Sequence, residues 1–127
     1  MRLLKHATFA VLATLALSSN AGWIQTEYVT VDYDRLSATG SVRDARNSGD
    51  TQQYIGCSLD ASTGGNVSIA CMAKDSNGQF AYCSSSDPLH VRAVQSINSA
   101  SYIEFIWLYG TTECWGVLTI TGSGFLP

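Results

Sequence analysis

Residues 53–59 read Gln53-Tyr54-Ile55-Gly56-Cys57-Ser58-Leu59, and residues 67–73 read Val67-Ser68-Ile69-Ala70-Cys71-Met72-Ala73. Between them lies Ser62-Thr63-Gly64-Gly65-Asn66, a run of turn formers. Each flank alternates with period two. Gln53, Ile55, Cys57 and Leu59 share one face of the first, and Val67, Ile69, Cys71 and Ala73 share one face of the second. A fold about Gly64 sets Leu59 opposite Ile69 and Cys57 opposite Cys71, with both thiols on the inward face. This is a β-hairpin, and the chain on either side of it also reads as strands and turns.

Downstream, Asp75-Ser76-Asn77-Gly78 returns the chain into Phe80-Ala81-Tyr82-Cys83. The Asn-Gly pair predicts a type I′ turn, because both residues tolerate positive φ. Ser86 or Asp87 then caps a short helix that opens on Pro88 and carries the stripe Leu89, Val91, Val94 and Ile97. Asn98-Ser99-Ala100 ends it. Tyr102 to Leu108 predicts a strand with Ile103, Phe105 and Trp107 on one face. Cys114 to Thr121 predicts its return partner, with Cys114, Leu118 and Ile120 facing together. Upstream, Glu27 to Tyr33 is β-rich, with Val29, Val31 and Tyr33 on one face. Leu36 to Gly40 reads as a polar connection of small residues. Ser41 to Arg46 reads as an edge strand whose arginines discourage edge pairing, followed by a turn at Asn47-Ser48-Gly49-Asp50. Six or seven short strands and one short helix predict an all-β fold, a small antiparallel β-sandwich or barrel.

The first 21 residues have the layout of an export signal. Arg2 and Lys5 charge the end, Ala7 to Leu17 is apolar, and Ser19-Asn20-Ala21 offers small residues for cleavage after Ala21. Residues 22–127 are then expected to form one exported β-domain. Loss of Arg2 and Lys5 leaves five cations (Arg35, Arg43, Arg46, Lys74, Arg92) against ten carboxylates, moving the net charge from −3 to −5. That balance argues against nucleic acid and anionic lipid, and favours basic partners. No later stretch is long and apolar enough to span a bilayer, so no membrane insertion is expected after signal removal. The expected location is secreted or periplasmic.

All four cysteines, Cys57, Cys71, Cys83 and Cys114, follow the signal and are expected to form two structural disulfides. Hairpin register favours Cys57–Cys71 with Cys83–Cys114. The rival, Cys71–Cys83 across the Asn77 turn with Cys57–Cys114, is also in register. Gaps of 13, 11 and 30 residues do not suit zinc, which uses closely spaced pairs. Neither a metal nor another cofactor is expected.

Catalytic signatures are sparse. Beyond the signal His90 is the one histidine, and Ser123, in Gly122-Ser123-Gly124, lacks the spacing of a nucleophile elbow. The carboxylate pairs Asp32 with Asp34 and Glu104 with Glu113 are of a kind any acidic domain offers. Asp75-Ser76-Asn77-Gly78 begins like a calcium loop but lacks the rest of the pattern. Asn66-Val67-Ser68 is a glycosylation triplet. Aromatic residues are more suggestive. Tyr54, Tyr82, Tyr102 and Trp115 fall on strand faces opposite the expected core, where they could stack on sugars or anchor protein contacts.

The stretch running from Tyr54-Ile55-Gly56-Cys57 through Cys71, Cys83-Ser84-Ser85-Ser86-Asp87-Pro88 and the Cys114 hairpin to Gly124-Phe125-Leu126-Pro127 resembles small exported bacterial proteins of uncharacterised function. The resemblance covers over half of the chain and implies a two-disulfide bacterial β-domain. It carries no catalytic residue across. The expected function is that of a small exported, non-catalytic binding protein, in an inhibitor-like or accessory role toward another envelope or extracellular protein. A carbohydrate-binding module is the alternative that needs aromatics aligned beside Asp or Asn. A minimal hydrolase is the alternative that needs a cleft joining His90 or a carboxylate pair.

Overall fold

The computed structural model describes residues 22–127. The expected signal and its cleavage point after Ala21 lie outside the described residues. Seven strands form two antiparallel sheets packed face to face, without closing into a barrel. One sheet has the order β1-β2-β6-β7, from β1 (Thr30–Asp32), β2 (Ser37–Ser41), β6 (Ser101–Trp107) and β7 (Cys114–Thr121). The other is a meander of β3 (Tyr54–Ala61), β4 (Val67–Lys74) and β5 (Phe80–Ser85). Helix α1 (Val42–Arg46) follows β2, and α2 (Pro88–Gln95) joins the two sheets. This is the all-β, sandwich-like architecture the alternation predicts.

The core lies where the inner faces meet. Val31, Ala38, Ile103, Phe105 and Trp107 project from the larger sheet, and Ile55, Ile69, Cys71, Ala73 and Cys83 from the smaller. The hairpin register is the one expected, with Cys57 paired to Cys71 and Leu59 to Ile69. Cys71 is also in register with Cys83. Three cysteines therefore line up across the smaller sheet. Cys57 bonds Cys71, and Cys83 reaches out of its own sheet to Cys114 on β7. The second bond staples the two layers together.

Four local readings are corrected. Leu36 to Gly40 is not a connection: Ser37–Ser41 is an interior strand between β1 and β6. Its residues are small because the space is taken. Ala38 sits beside Phe105, and a Cβ on Gly40 would come within 3.0 Å of the Val29 backbone. Ser41 to Arg46 is a helix turn rather than an edge strand. Ser41 caps it: its Oγ accepts from the Asp44 N–H at 3.0 Å and donates to Asp44 Oδ2 at 2.7 Å. That local bond competes successfully with a strand whose only large apolar residue is Val42. The Asn77 turn has three residues, with the Asp75 N–H donating to Gln79 O at 3.0 Å, and only Gly78 takes positive φ, at 83°. It is a bulged turn and not type I′.

The fourth correction concerns β7. Trp107 pairs with Cys114 and Ile106 with Gly116, so Trp115 is an extra residue between two rungs. This β-bulge reverses the alternation after Cys114. Val117 and Thr119 then pair with the buried Phe105 and Ile103, while Leu118 and Ile120 stand exposed on the outer face.

Around α1 a buried ion pair gathers distant segments. Arg43 Nε donates to Asp44 Oδ1 at 2.9 Å, and both side chains are about nine-tenths buried. The Arg43 guanidinium also donates to the carbonyls of Gln25, Gly124 and Leu126. Asp44 accepts the Glu27 N–H at 2.7 Å. Burial alone would raise the Asp44 carboxyl, but the hydrogen bonds from Arg43, Glu27 and Ser41 outweigh it and hold the group below its usual range. Nearby, the Gln53 side chain and the Gln52 N–H bring the Asp50 carboxyl down to about 2. Gln53 Oε1 in turn accepts the Val29 N–H at 2.8 Å, tying the strap before β1 to the smaller sheet.

Two outcomes follow for stability. The Cys83→Ala/Cys114→Ala double variant should lose about 3–4 kcal/mol in non-reducing urea denaturation, the chain-entropy value for a loop of that length. The two depressed carboxyls stabilise the fold when ionised. Their contribution is complete above about pH 4 and is lost as pH falls through the lowered folded values, which for Asp50 is about 2. Urea midpoints measured between those limits should fall, and Asp50→Asn should flatten the slope.

Candidate functional site

Three segments rise past one end of the smaller sheet. They are the β3–β4 hairpin, whose residues from Ser58 to Asn66 are exposed, the entry into α2, and the β6–β7 loop. Between them lies an open cleft of about 870 Å³. The hairpin contributes Ser58, Asp60 and Ser68. The α2 entry contributes Ser85, Ser86, Asp87 and His90. The β6–β7 loop contributes Leu108 and Glu113, the start of β7 contributes Trp115, and the outer face of β5 adds Tyr82 and Ser84.

Local chemistry fixes each wall. The β6–β7 loop is drawn against β5 by the Ser84 N–H, which donates to Thr112 O at 2.8 Å, and by a parallel bridge between Ser84 and Glu113. The Cys83–Cys114 bond ties the residues next to these. Within the loop, Gly110 supplies the positive φ of the turn, and the Glu113 N–H donates to Thr111 Oγ1 at 3.1 Å. At the α2 entry, Asp87 is the N-cap, accepting the Leu89 N–H at 2.7 Å, with Pro88 in the first turn. Ser85 Oγ accepts the Asp87 N–H at 3.0 Å and lies 2.8 Å from His90 Nδ1.

The bulge sets Trp115 apart. Cys114 beside it is buried and cross-linked, and Gly116 rejoins the ladder, so the indole is turned outward with 66% of the residue exposed. Charge in the cleft is one-sided. Three carboxylates line it, and no lysine or arginine does. Among the described residues none of the three forms a salt bridge.

Of the four aromatic candidates, the cleft brings together Tyr82 and Trp115. Tyr54 lies on the same outer sheet face but further along, opposite Lys74, with its ring over Gly56. A Cβ there would meet the Tyr54 hydroxyl at 2.9 Å. Tyr102 is on the other sheet, stacked on Phe125 at 5.8 Å. Burial, with Glu104 and Glu27 nearby, pushes the Tyr102 phenol up. The four cysteines are all in disulfides.

Other candidate chemistries are dispersed. His90 touches a serine, but no carboxylate pairs with its ring among the described residues, so the contact is that of a helix entry. Asp32 is folded into a turn, accepting the N–H groups of Asp34 and Arg35. Glu104 lies on the outer face of the larger sheet, away from Glu113 in the cleft. Among the described residues no group of three or more His, Cys, Asp or Glu is placed to hold a metal. Sequence reasoning missed Asp60, Glu113 and the serines as one site. The run Cys83-Ser84-Ser85-Ser86-Asp87-Pro88 was the available signal, since a polar run between a strand and a helix forms a rim.

Comparison with protein-family models, with curated proteins and with solved structures finds no match for this chain.

The walls should separate by role. Asp87→Ala removes a cap and should cost about 1 kcal/mol. Asp60→Asn with Glu113→Gln removes carboxylates that the fold does not use, and should shift stability by less than about 0.5 kcal/mol. Thermal and urea unfolding of the two variants checks both values.

Proposed function

We propose that this chain is a small binding protein of an oxidising extracellular or periplasmic compartment, and that it recognises a basic segment of another protein. Two disulfides suit such a compartment, and among the described residues no helix is long and apolar enough to cross a membrane. The observation that carries the reading is the composition of the cleft. It is open enough to take an extended segment, and it presents three carboxylates, two aromatics and several hydroxyls, with no lysine or arginine among the described residues that line it. Ten carboxylates against five cations outside the expected signal extend the same sign of field over the molecule. Such a field steers basic partners and raises their association rate, an effect that salt screens.

The walls favour recognition by a pre-formed surface. Disulfide, cap and loop bonds already hold them, so little ordering entropy is spent when a ligand arrives. An inhibitor-like or accessory role fits a compact, cross-linked domain of this kind.

One observation favours a second reading, a carbohydrate-binding module. Tyr82 and Trp115 share the cleft with serine hydroxyls and Asp60, and such a surface can stack on and hydrogen-bond to a sugar. The lining has no amide side chain, and its carboxylates only accept hydrogen bonds. For that reason the cationic protein segment comes first.

Selection of phage-displayed random peptides on the immobilised protein tests the choice. Enrichment in lysine and arginine, lost on the Asp60→Asn/Glu113→Gln variant and weakened by 0.5 M salt, is the expected result. Enrichment without basic residues, beside a positive glycan array, would transfer the site to the second reading.

A further inference from the structure

We propose that Trp115 is the anchor of this cleft, its indole face receiving a guanidinium or ammonium group of the partner segment, with Glu113 and Asp60 as the counter-charges. The inference rests on the reading of the cleft as a site for a basic segment, and names the contact that gives it affinity.

Three features converge on this side chain. Trp115 is 66% exposed and so gains little from the core, and it is the extra residue of the β7 bulge, outside the ladder pairing. Without the bulge, residue 115 would be an ordinary rung of the ladder. Its base is rigid, because Cys114 is bonded to Cys83 and Glu113 is bridged to Ser84. A tryptophan on a held backbone leaves only its side-chain torsions to be ordered when a ligand arrives. The surroundings then select among the ligands an indole can stack on. Asp60 and Glu113 line the same cleft and lack salt-bridge partners among the described residues. An uncharged apolar group in the cleft would leave the negative charge of those carboxylates without a counter-charge. A cation satisfies the carboxylates and the negative face of the ring together.

Isothermal titration calorimetry with N-acetylated tetra-arginine amide and tetra-lysine amide, at low ionic strength, provides the test. The unmodified protein binds one or both peptides. Trp115→Phe weakens binding and Trp115→Leu weakens it further, by about tenfold or more, because the aliphatic side chain keeps apolar area but has no π face. Glu113→Gln gives a separate loss that shrinks as salt is raised. The exposed indole can be replaced without disturbing the core. If the melting temperature of a variant nevertheless falls, Trp115→Tyr takes its place in the series.

If peptides bind but the Trp115 series is flat, the anchor is overturned while the acidic cleft stands. If Trp115→Leu binds the peptides as well as Trp115→Phe does, the contact is simple apolar burial and the cation assignment falls. If neither peptide binds and a chito-oligosaccharide does, in a Trp115-dependent way, both the anchor assignment and the basic-segment reading are overturned.

Discussion

The bond from Cys83 to Cys114 is the constraint on which the rest of this structure hangs. Cys71 lies in register with two possible partners, one on each side. Because Cys71 is joined to Cys57, Cys83 is free to leave its own sheet and fasten β5 to β7. A domain of this size has a modest core, and a cross-layer covalent link stabilises it by narrowing the unfolded ensemble. The same link brings the β6–β7 loop against β5, and so creates one wall of the cleft. Stability and site geometry are set at the same atom pair.

Several features of the cleft give the fold no direct return. Asp60 and Glu113 contribute like charge with no salt bridge among the described residues, and Trp115 leaves a large apolar surface in water. The Arg43–Asp44 pair shows the opposite treatment of charge. Its members are buried, in mutual contact, and occupied by backbone groups on every side. The contrast places open carboxylates beside an exposed indole in one cleft, which suits a binding surface.

Much of the fold was legible because its period-two patterns are local. The hairpin around Gly64, the β6 face of Ile103, Phe105 and Trp107, and the Asp87-Pro88 helix entry each follow from a few adjacent residues. What escaped was set from outside the segment. Ser37–Ser41 lacks a hydrophobic pattern because Val29 and Phe105 fill the volume its own side chains would otherwise occupy. The β7 face was misread because a bulge changes parity, and only the partner strand shows where the extra residue lies. The cleft was half legible. Trp115 and Tyr82 were visible as exposed aromatics, but Asp60 and Glu113 are 53 residues apart in the chain and meet only through the two disulfide-linked sheets.

The way the sheets divide the chain has a kinetic meaning. The strands β3, β4 and β5 are consecutive, so the smaller sheet needs only short loops and can form from residues 54–85 alone. The larger sheet is split around it, β1 and β2 from before residue 42 and β6 and β7 from after residue 100. Closing it requires a long excursion of the chain, whose entropy must be met before the β2–β6 contacts form. The meander is therefore the natural nucleus, and the outer layer assembles on it as a late, cooperative step. The Arg43 cluster is completed only then, since it needs the carbonyls of Gln25 and Gly124 together. It acts as a latch on the finished molecule, resisting unfolding without hastening folding.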